Sequence, residues 1–135
     1  MIAYVDASVI LRLALGAPNR LAEWAAVERA NSSELLWTEC RRSLDRLRAH
    51  GRLDDDGLVS AVEAVNLLLD RMDLAAVGKP VLARAGDPFP TPLGTLDAIH
   101  LATALLWDPA PEAFLTHDLE LGRAARSMGL RVLGC

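Results

Sequence analysis

Short apolar runs alternate with helical stretches along this whole chain, and no other feature narrows the choice of fold as far. Ile2 to Val5 reads as a buried strand that begins almost at the first residue. Asp6-Ala7-Ser8 then opens a mostly apolar helix, Val9 to Leu15, ended by Gly16 and Pro18. Arg20 to Ala30 reads as a helix with Leu21, Trp24, Ala25 and Val27 on one face, and Glu34 to Trp37 as a second short strand. Thr38 is placed to cap the next helix, which carries a run of arginines and stops near His50-Gly51. Asp54 to Asp56 start an amphipathic helix with Leu58, Val62, Val65, Leu68 or Leu69, and Met72 at three-to-four spacing. Leu74 to Val77 is a strand candidate, Val81 to Ala85 a short helix, and the prolines between Gly86 and Pro92 mark a loop. Thr95 caps a helix from Leu96 to Trp107, Ala113 to Thr116 is a strand, Leu119 to Met128 a helix, and Leu130 to Leu133 a closing strand. Strands this short, set between helices, predict an α/β domain with a short, mainly parallel sheet covered by helices on both faces. No repeat or linker divides the chain, so residues 1–135 read as one domain.

Composition limits the function classes. With 52% hydrophobic and 24% charged residues the chain has enough apolar material for a core without staples. Cys40 and Cys135 are too few for a disulfide framework and fit a reducing compartment. The N-terminal residues lack the basic region of a signal peptide, and no apolar run reaches the roughly 20 residues of a membrane span. A cytoplasmic protein is expected. The mean hydropathy of +0.22 is high for a monomer of this size and predicts a homodimer. The net charge of −4 argues against a nucleic-acid partner, but the charge is unevenly spread. Arg41, Arg42, Arg46, Arg48 and Arg52 fall within twelve residues, opposed only by Asp45.

Four acids stand near the starts of helices. Asp6, Glu39 and Asp118 each follow an expected strand, and Asp97 lies two residues after Thr95. In an open parallel sheet the carboxyl ends of the strands share one edge, so acids distant in sequence can converge there. Each acid singly is also what a helix N-terminus favours, as a cap or against the dipole. Asp97 weighs more than the others. From Leu96 to Trp107 the only polar side chains besides the Trp107 indole are Asp97, His100 and Thr103, so this helix is expected to be buried. A carboxylate at its start loses hydration, has no Lys or Arg nearby in sequence, and needs a compensating charge. A shared divalent cation would supply it, and hard oxygen ligands suit Mg²⁺ or Mn²⁺.

Tyr4-Val5-Asp6-Ala7-Ser8, Thr38-Glu39, Leu96-Asp97-Ala98-Ile99-His100-Leu101-Ala102-Thr103-Ala104, and Thr116-His117-Asp118 with Ala124-Ala125 and Gly129 resemble the motifs of PIN-domain nucleases. The resemblance is nearest to the toxin half of VapBC toxin–antitoxin pairs and runs from the first strand to the last. It implies a three-layer α/β/α fold and a Mg²⁺- or Mn²⁺-dependent endoribonuclease restrained by a small VapB-like antitoxin. By residue it implies that Asp6, Glu39, Asp97 and Asp118 form the metal and catalytic site, with Ser8 and Thr116 as the hydroxyls that support it. The chemistry is coherent, because a divalent cation activates water and neutralises the charge of the phosphodiester.

Other polar residues admit two readings. His100, three residues after Asp97, either hydrogen-bonds within the buried site or ligates a metal; His117 lies in the Asp118 loop, within reach of a substrate. Arg41, Arg42 and Arg46 are placed to hold RNA phosphates, or form a solvated face. Trp24, Trp37 and Trp107 are assigned to core or interface, since 4% aromatic residues are too few for a base-stacking platform. The acidic cleft invites a cationic side chain from a partner, and the stripes on Arg20 to Ala30 and Leu58 to Met72 offer it apolar surface. Two rival functions stand beside the nuclease. An aspartyl-phosphate phosphotransferase using Asp6 lacks the second acid two residues on, and Lys79, the only lysine, sits before Pro80 in a loop. A non-catalytic module would keep the acids only as caps. There is no Gly-rich phosphate loop.

Overall fold

Side-chain alternation in two central strands decides where the helices lie. In β1 (Ile2–Val5), Ala3 and Val5 point to one face and Tyr4 to the other; in β4 (Ala113–Leu115), Ala113 and Leu115 oppose Phe114. All six residues are buried, as strands covered on both faces must be. The computed structural model describes residues 1–135. Its remaining elements are α1 (Ala7–Ala14), β2 (Arg29–Ser33), α2 (Leu35–Ala49), α3 (Asp55–Leu69), β3 (Met72–Ala75), α4 (Lys79–Gly86), α5 (Thr95–Leu105), α6 (Leu119–Ser127) and β5 (Val132–Leu133).

The sheet order is β3-β2-β1-β4-β5, and every pair is parallel. The chain winds outward from β1 through β2 to β3, then returns to the other side of β1 for β4 and β5. The gap between the carboxyl ends of β1 and β4 is therefore the switch point, where ligands bind in such sheets. On the Ala3 and Val5 face, α1, α2 and α3 bring Val9, Ile10, Leu36, Leu44 and Val65 into one core. On the Tyr4 face, Leu101 and Ala104 of α5 and Leu121, Ala124 and Ala125 of α6 form the second. The three-layer α/β/α architecture expected from the sequence is the observed one. No helix is long and apolar enough to cross a membrane.

Several local expectations are corrected. The stretch Arg20 to Ala30 is not an α-helix; it holds a short 3₁₀ segment, Ala22–Ala26, and then enters β2. The second strand is Arg29–Ser33, and the apolar Leu35, Leu36 and Trp37 begin α2 instead of forming a strand. Thr38 accordingly lies inside α2 and caps nothing; the Ser33 hydroxyl accepts the Leu35 N–H at its start. The third strand is Met72–Ala75, two residues earlier than expected. Gly94, not Thr95, occupies the cap position of α5, which ends at Leu105. The expected α3 stripe is mostly consumed by the core, with Val65 and Leu69 buried and Leu58, Val62, Leu68 and Met72 packed against it. Trp24 packs on the same core, whereas Trp37 is 45% exposed under the Arg41 guanidinium, 4.6 Å from the ring centroid.

Candidate active site

Asp6 leaves the carboxyl end of β1 and caps α1, so its carboxylate is set by the sheet and not by a free side chain. One oxygen, Oδ2, accepts from the Ser8 N–H (3.2 Å), the Ser8 hydroxyl (2.5 Å) and the Thr116 hydroxyl (2.9 Å). Each hydroxyl in turn accepts a backbone N–H of the β4–α6 junction, Ser8 from His117 (2.9 Å) and Thr116 from Asp118 (3.0 Å). Ser8 and Thr116 thus staple the two strand ends on either side of the switch point. Gly134, at a φ of 105°, lies against the Thr116 carbonyl where any Cβ would collide.

Asp118 caps α6, its Oδ1 accepting from the Glu120 and Leu121 N–H groups at 2.8 and 2.9 Å. Glu39 arrives differently. It is the fifth residue of α2, one turn in from the helix start, so the expectation that it follows a strand directly is corrected. Its Oε2 pairs with His100 Nε2 at 2.7 Å, and the other ring nitrogen, Nδ1, meets the Tyr4 hydroxyl at 2.9 Å. That hydroxyl also accepts the Ser33 N–H at 3.1 Å. Ligand atoms of Asp6, Glu39 and His100 all lie within 4.8 Å of one another. Asp97, in the first turn of α5, is close enough for its ionisation to feel Asp118, Asp6 and Glu39.

The electrostatics follow from crowding and burial. Desolvation pushes the Asp97 carboxyl up to about 6, and the charges of Asp118, Asp6 and Glu39 add to the effect. Burial pulls the His100 imidazole down, but the Glu39 hydrogen bond and the charges of Glu39, Asp6 and Asp97 outweigh it and leave it raised. Burial, with the charges of Glu39 and Asp6, raises the Cys40 thiol to about 12, which makes it an inert core residue. No Lys or Arg forms an ion pair with any of the four acids.

The arrangement fits a divalent cation. Asp6, Glu39 and Asp118 each commit one oxygen to the protein, leaving Asp6 Oδ1, Glu39 Oε1 and Asp118 Oδ2 without a protein donor. Asp6 and Glu39, anchored and each with a free oxygen, come together with His100 closely enough to share a hard oxygen-seeking ion, whereas Asp97 and Asp118 stand outside that close group. Of the other residues singled out, His117 turns its Nδ1 to the Gly134 carbonyl (2.8 Å). Arg42 and Arg48 share Asp45, and Arg46 reaches Ser43. Arg46 stands two turns beyond Glu39 on the same helix face. Tyr4 is the participant the sequence did not disclose; only its position opposite α5 gives it a role.

The model of the PIN domain family matches residues 3–126. The chain is 35% identical to Ribonuclease VapC46 of Mycobacterium tuberculosis over 133 residues, covering 96% of this chain and 95% of that protein. Ribonuclease VapC47 of the same organism is 28% identical over 128 residues, 93% of this chain and 91% of that one. Among solved structures, VapBC2 from Rickettsia felis bound to a DNA fragment from their promoter superposes with a TM-score of 0.68 at 11% identity, covering 98% of this chain and 97% of that chain. At that identity the likeness is one of fold.

Proposed function

The chain belongs to the PIN-domain family, and from that premise we propose that it is an endoribonuclease hydrolysing RNA phosphodiester bonds, the toxin half of a toxin–antitoxin pair. The ribonucleases named above, similar over nearly their whole length, support the activity. Mg²⁺ or Mn²⁺ is the proposed cofactor, held by Asp6, Glu39, Asp97 and Asp118. The observation that carries this is the set of carboxylate oxygens left without protein donors in a cluster that has no Lys or Arg counter-ion.

When bound, the cation supplies Lewis acidity, activating water and neutralising charge on the phosphate and the leaving oxygen. The protein's part is preorganisation. Ser8 and Thr116 fix Asp6 and tie its loop to that of Asp118, so the cluster need not reorganise when substrate arrives. Arg46, with Arg41 and Arg42 farther round α2, is proposed to hold RNA phosphates beside the cut. Residues 1–135 act as one nuclease domain, working as a homodimer in the cytoplasm. The partner is a small VapB-like antitoxin that covers the cleft with a cationic side chain, attracted by the same uncompensated acids.

The test pairs biochemistry with growth. Asp6→Asn and Asp97→Asn should each lower RNA cleavage by about tenfold or more in saturating Mg²⁺, because each removes transition-state charge stabilisation. Expressed alone, the unaltered protein should arrest growth and the Asp6→Asn form should not; co-expression with the neighbouring small open reading frame should restore growth and yield a stable complex. Two variants that cleave like the parent, or harmless expression at good soluble yield, would overturn the reading.

A further inference from the structure

Three of the four acids differ in how they are held. Asp6 is fixed by a backbone N–H and two hydroxyls, and Asp118 by two backbone N–H groups at a helix start. Both are short side chains at strand-to-helix junctions. Glu39 is longer, projects from inside α2, and receives one protein hydrogen bond, from His100. His100 is fully buried, and its far nitrogen meets the Tyr4 hydroxyl. Tyr4 is also fully buried, stacked on Phe114 with ring centroids 5.1 Å apart, and its hydroxyl takes the Ser33 N–H at the end of β2. The path from the β2 backbone through Tyr4 and His100 consists of fully buried groups in hydrogen-bonded contact and ends on the partly buried Glu39.

We propose that His100 is a positioning residue and not a metal ligand: anchored by Tyr4, its Nε2–H donates to Glu39 Oε2 and aims Glu39 Oε1 into the metal centre. This rests on the metal-site reading above. The chemistry favours it, since Nε2 points at a carboxylate oxygen 2.7 Å away and a donor so engaged has no lone pair to offer a cation. The relay also answers a problem of topology. A glutamate one turn inside a helix has three free torsions where Asp6 and Asp118 have backbone anchors, and a partner beyond the ligand shell restricts them.

Mn²⁺ binding to the metal-free protein, followed by calorimetry, tests the assignment. His100→Leu should weaken Mn²⁺ binding about tenfold or more, the range expected when a partner of a metal ligand is lost. His100→Gln, which keeps an N–H at nearly the Nε2 position, should retain most of the affinity even if the leucine variant folds poorly. Tyr4→Phe should give an intermediate loss. In a Glu39→Gln background, His100→Gln and His100→Leu should cost nothing further, because His100 acts only through Glu39. Electron spin-echo spectra of the Mn²⁺-loaded protein labelled with ¹⁵N-histidine should lack the coupling of a directly bound imidazole. Additive losses in the double variants, or that coupling, would overturn the positioning role while leaving the metal centre intact. An unaltered protein that binds no Mn²⁺ at millimolar concentration would overturn both.

Discussion

Asp97 shows how a single residue can hold function at the expense of stability. It stands in the first turn of a helix whose next seven residues are buried, and its carboxyl receives no hydrogen bond from the protein. An acid whose folded pKa lies above its unfolded value binds its proton more tightly in the native state. Its contribution is therefore most favourable below the ordinary aspartate value of 3.8 and is lost as pH rises through about 6. The carboxyl is only half-buried, so solvent screening reduces the effect to the order of 1 kcal/mol. In metal-free protein, Asp97→Asn should match the parent near pH 4 and melt higher than it near pH 7. Millimolar Mg²⁺ should close that gap by stabilising the parent selectively. Thermal melts of both proteins at the two pH values, with chelator and with Mg²⁺, decide this; a gap independent of pH would mean that Asp97 carries no unusual charge cost.

At the scale of elements, β2 departs furthest from the rules by which strands are recognised. Its sequence, Arg-Ala-Asn-Ser-Ser, has one apolar residue, yet Ala30 to Ser33 are all buried. Two of its polar residues are satisfied by neighbours: the Ser32 hydroxyl donates to the Val5 carbonyl at 2.7 Å, and the Ser33 hydroxyl caps α2. Asn31, between Tyr4 and Asp73 in the sheet register, has neither side-chain nitrogen nor oxygen paired. A buried polar group without a partner costs about 1–3 kcal/mol, and valine suits a strand covered on both faces. Asn31→Val should raise the melting temperature by a few degrees with cleavage unchanged; a fall in calorimetry would show that the amide is satisfied by a buried water. The same strand explains the shifted boundaries around it. The apolar run at Leu35 to Trp37 reads locally as a strand, but the hydrogen-bonded edge beside β1 belongs to the polar residues before it.

For the molecule as a whole, the notable quantity is apolar surface left outside the two cores. Val59 and Leu67 on the outer side of α3 are 57% and 68% exposed, Trp37 lies on the neighbouring α2, and Leu82 and Leu106 are about half-exposed on the other face of the sheet. Side chains of this kind are the surface on which the proposed homodimer would form. Light scattering at micromolar concentration should report a homodimer, and charge introduced as Val59→Glu with Leu67→Glu, or as Leu106→Glu, should shift it toward monomer on whichever face is used. Monomer alone from the unaltered protein would remove the dimer and leave the nuclease reading standing.

Local chemistry carried much of this protein into its sequence. The alternation of strands and helices, the caps at Asp6, Asp54 and Asp118, the αL glycines Gly16 and Gly51, and the apolar girth of α5 depend on neighbours a few residues away, so they are legible one segment at a time. The four acids could be singled out for the same reason, each by its place beside a helix start or by the lack of a nearby counter-charge. Tertiary structure decided what depends on distant partners. It made a strand of Arg29–Ser33, where Ser32 and Ser33 find their hydrogen bonds on Val5, Tyr4 and α2. It joined Ser8 to Thr116 and to the His117 backbone across more than a hundred residues, and it gave Tyr4 a role that its own segment does not state. Burial penalises an unpaired polar atom wherever its partner comes from, and only the folded chain determines which partners arrive.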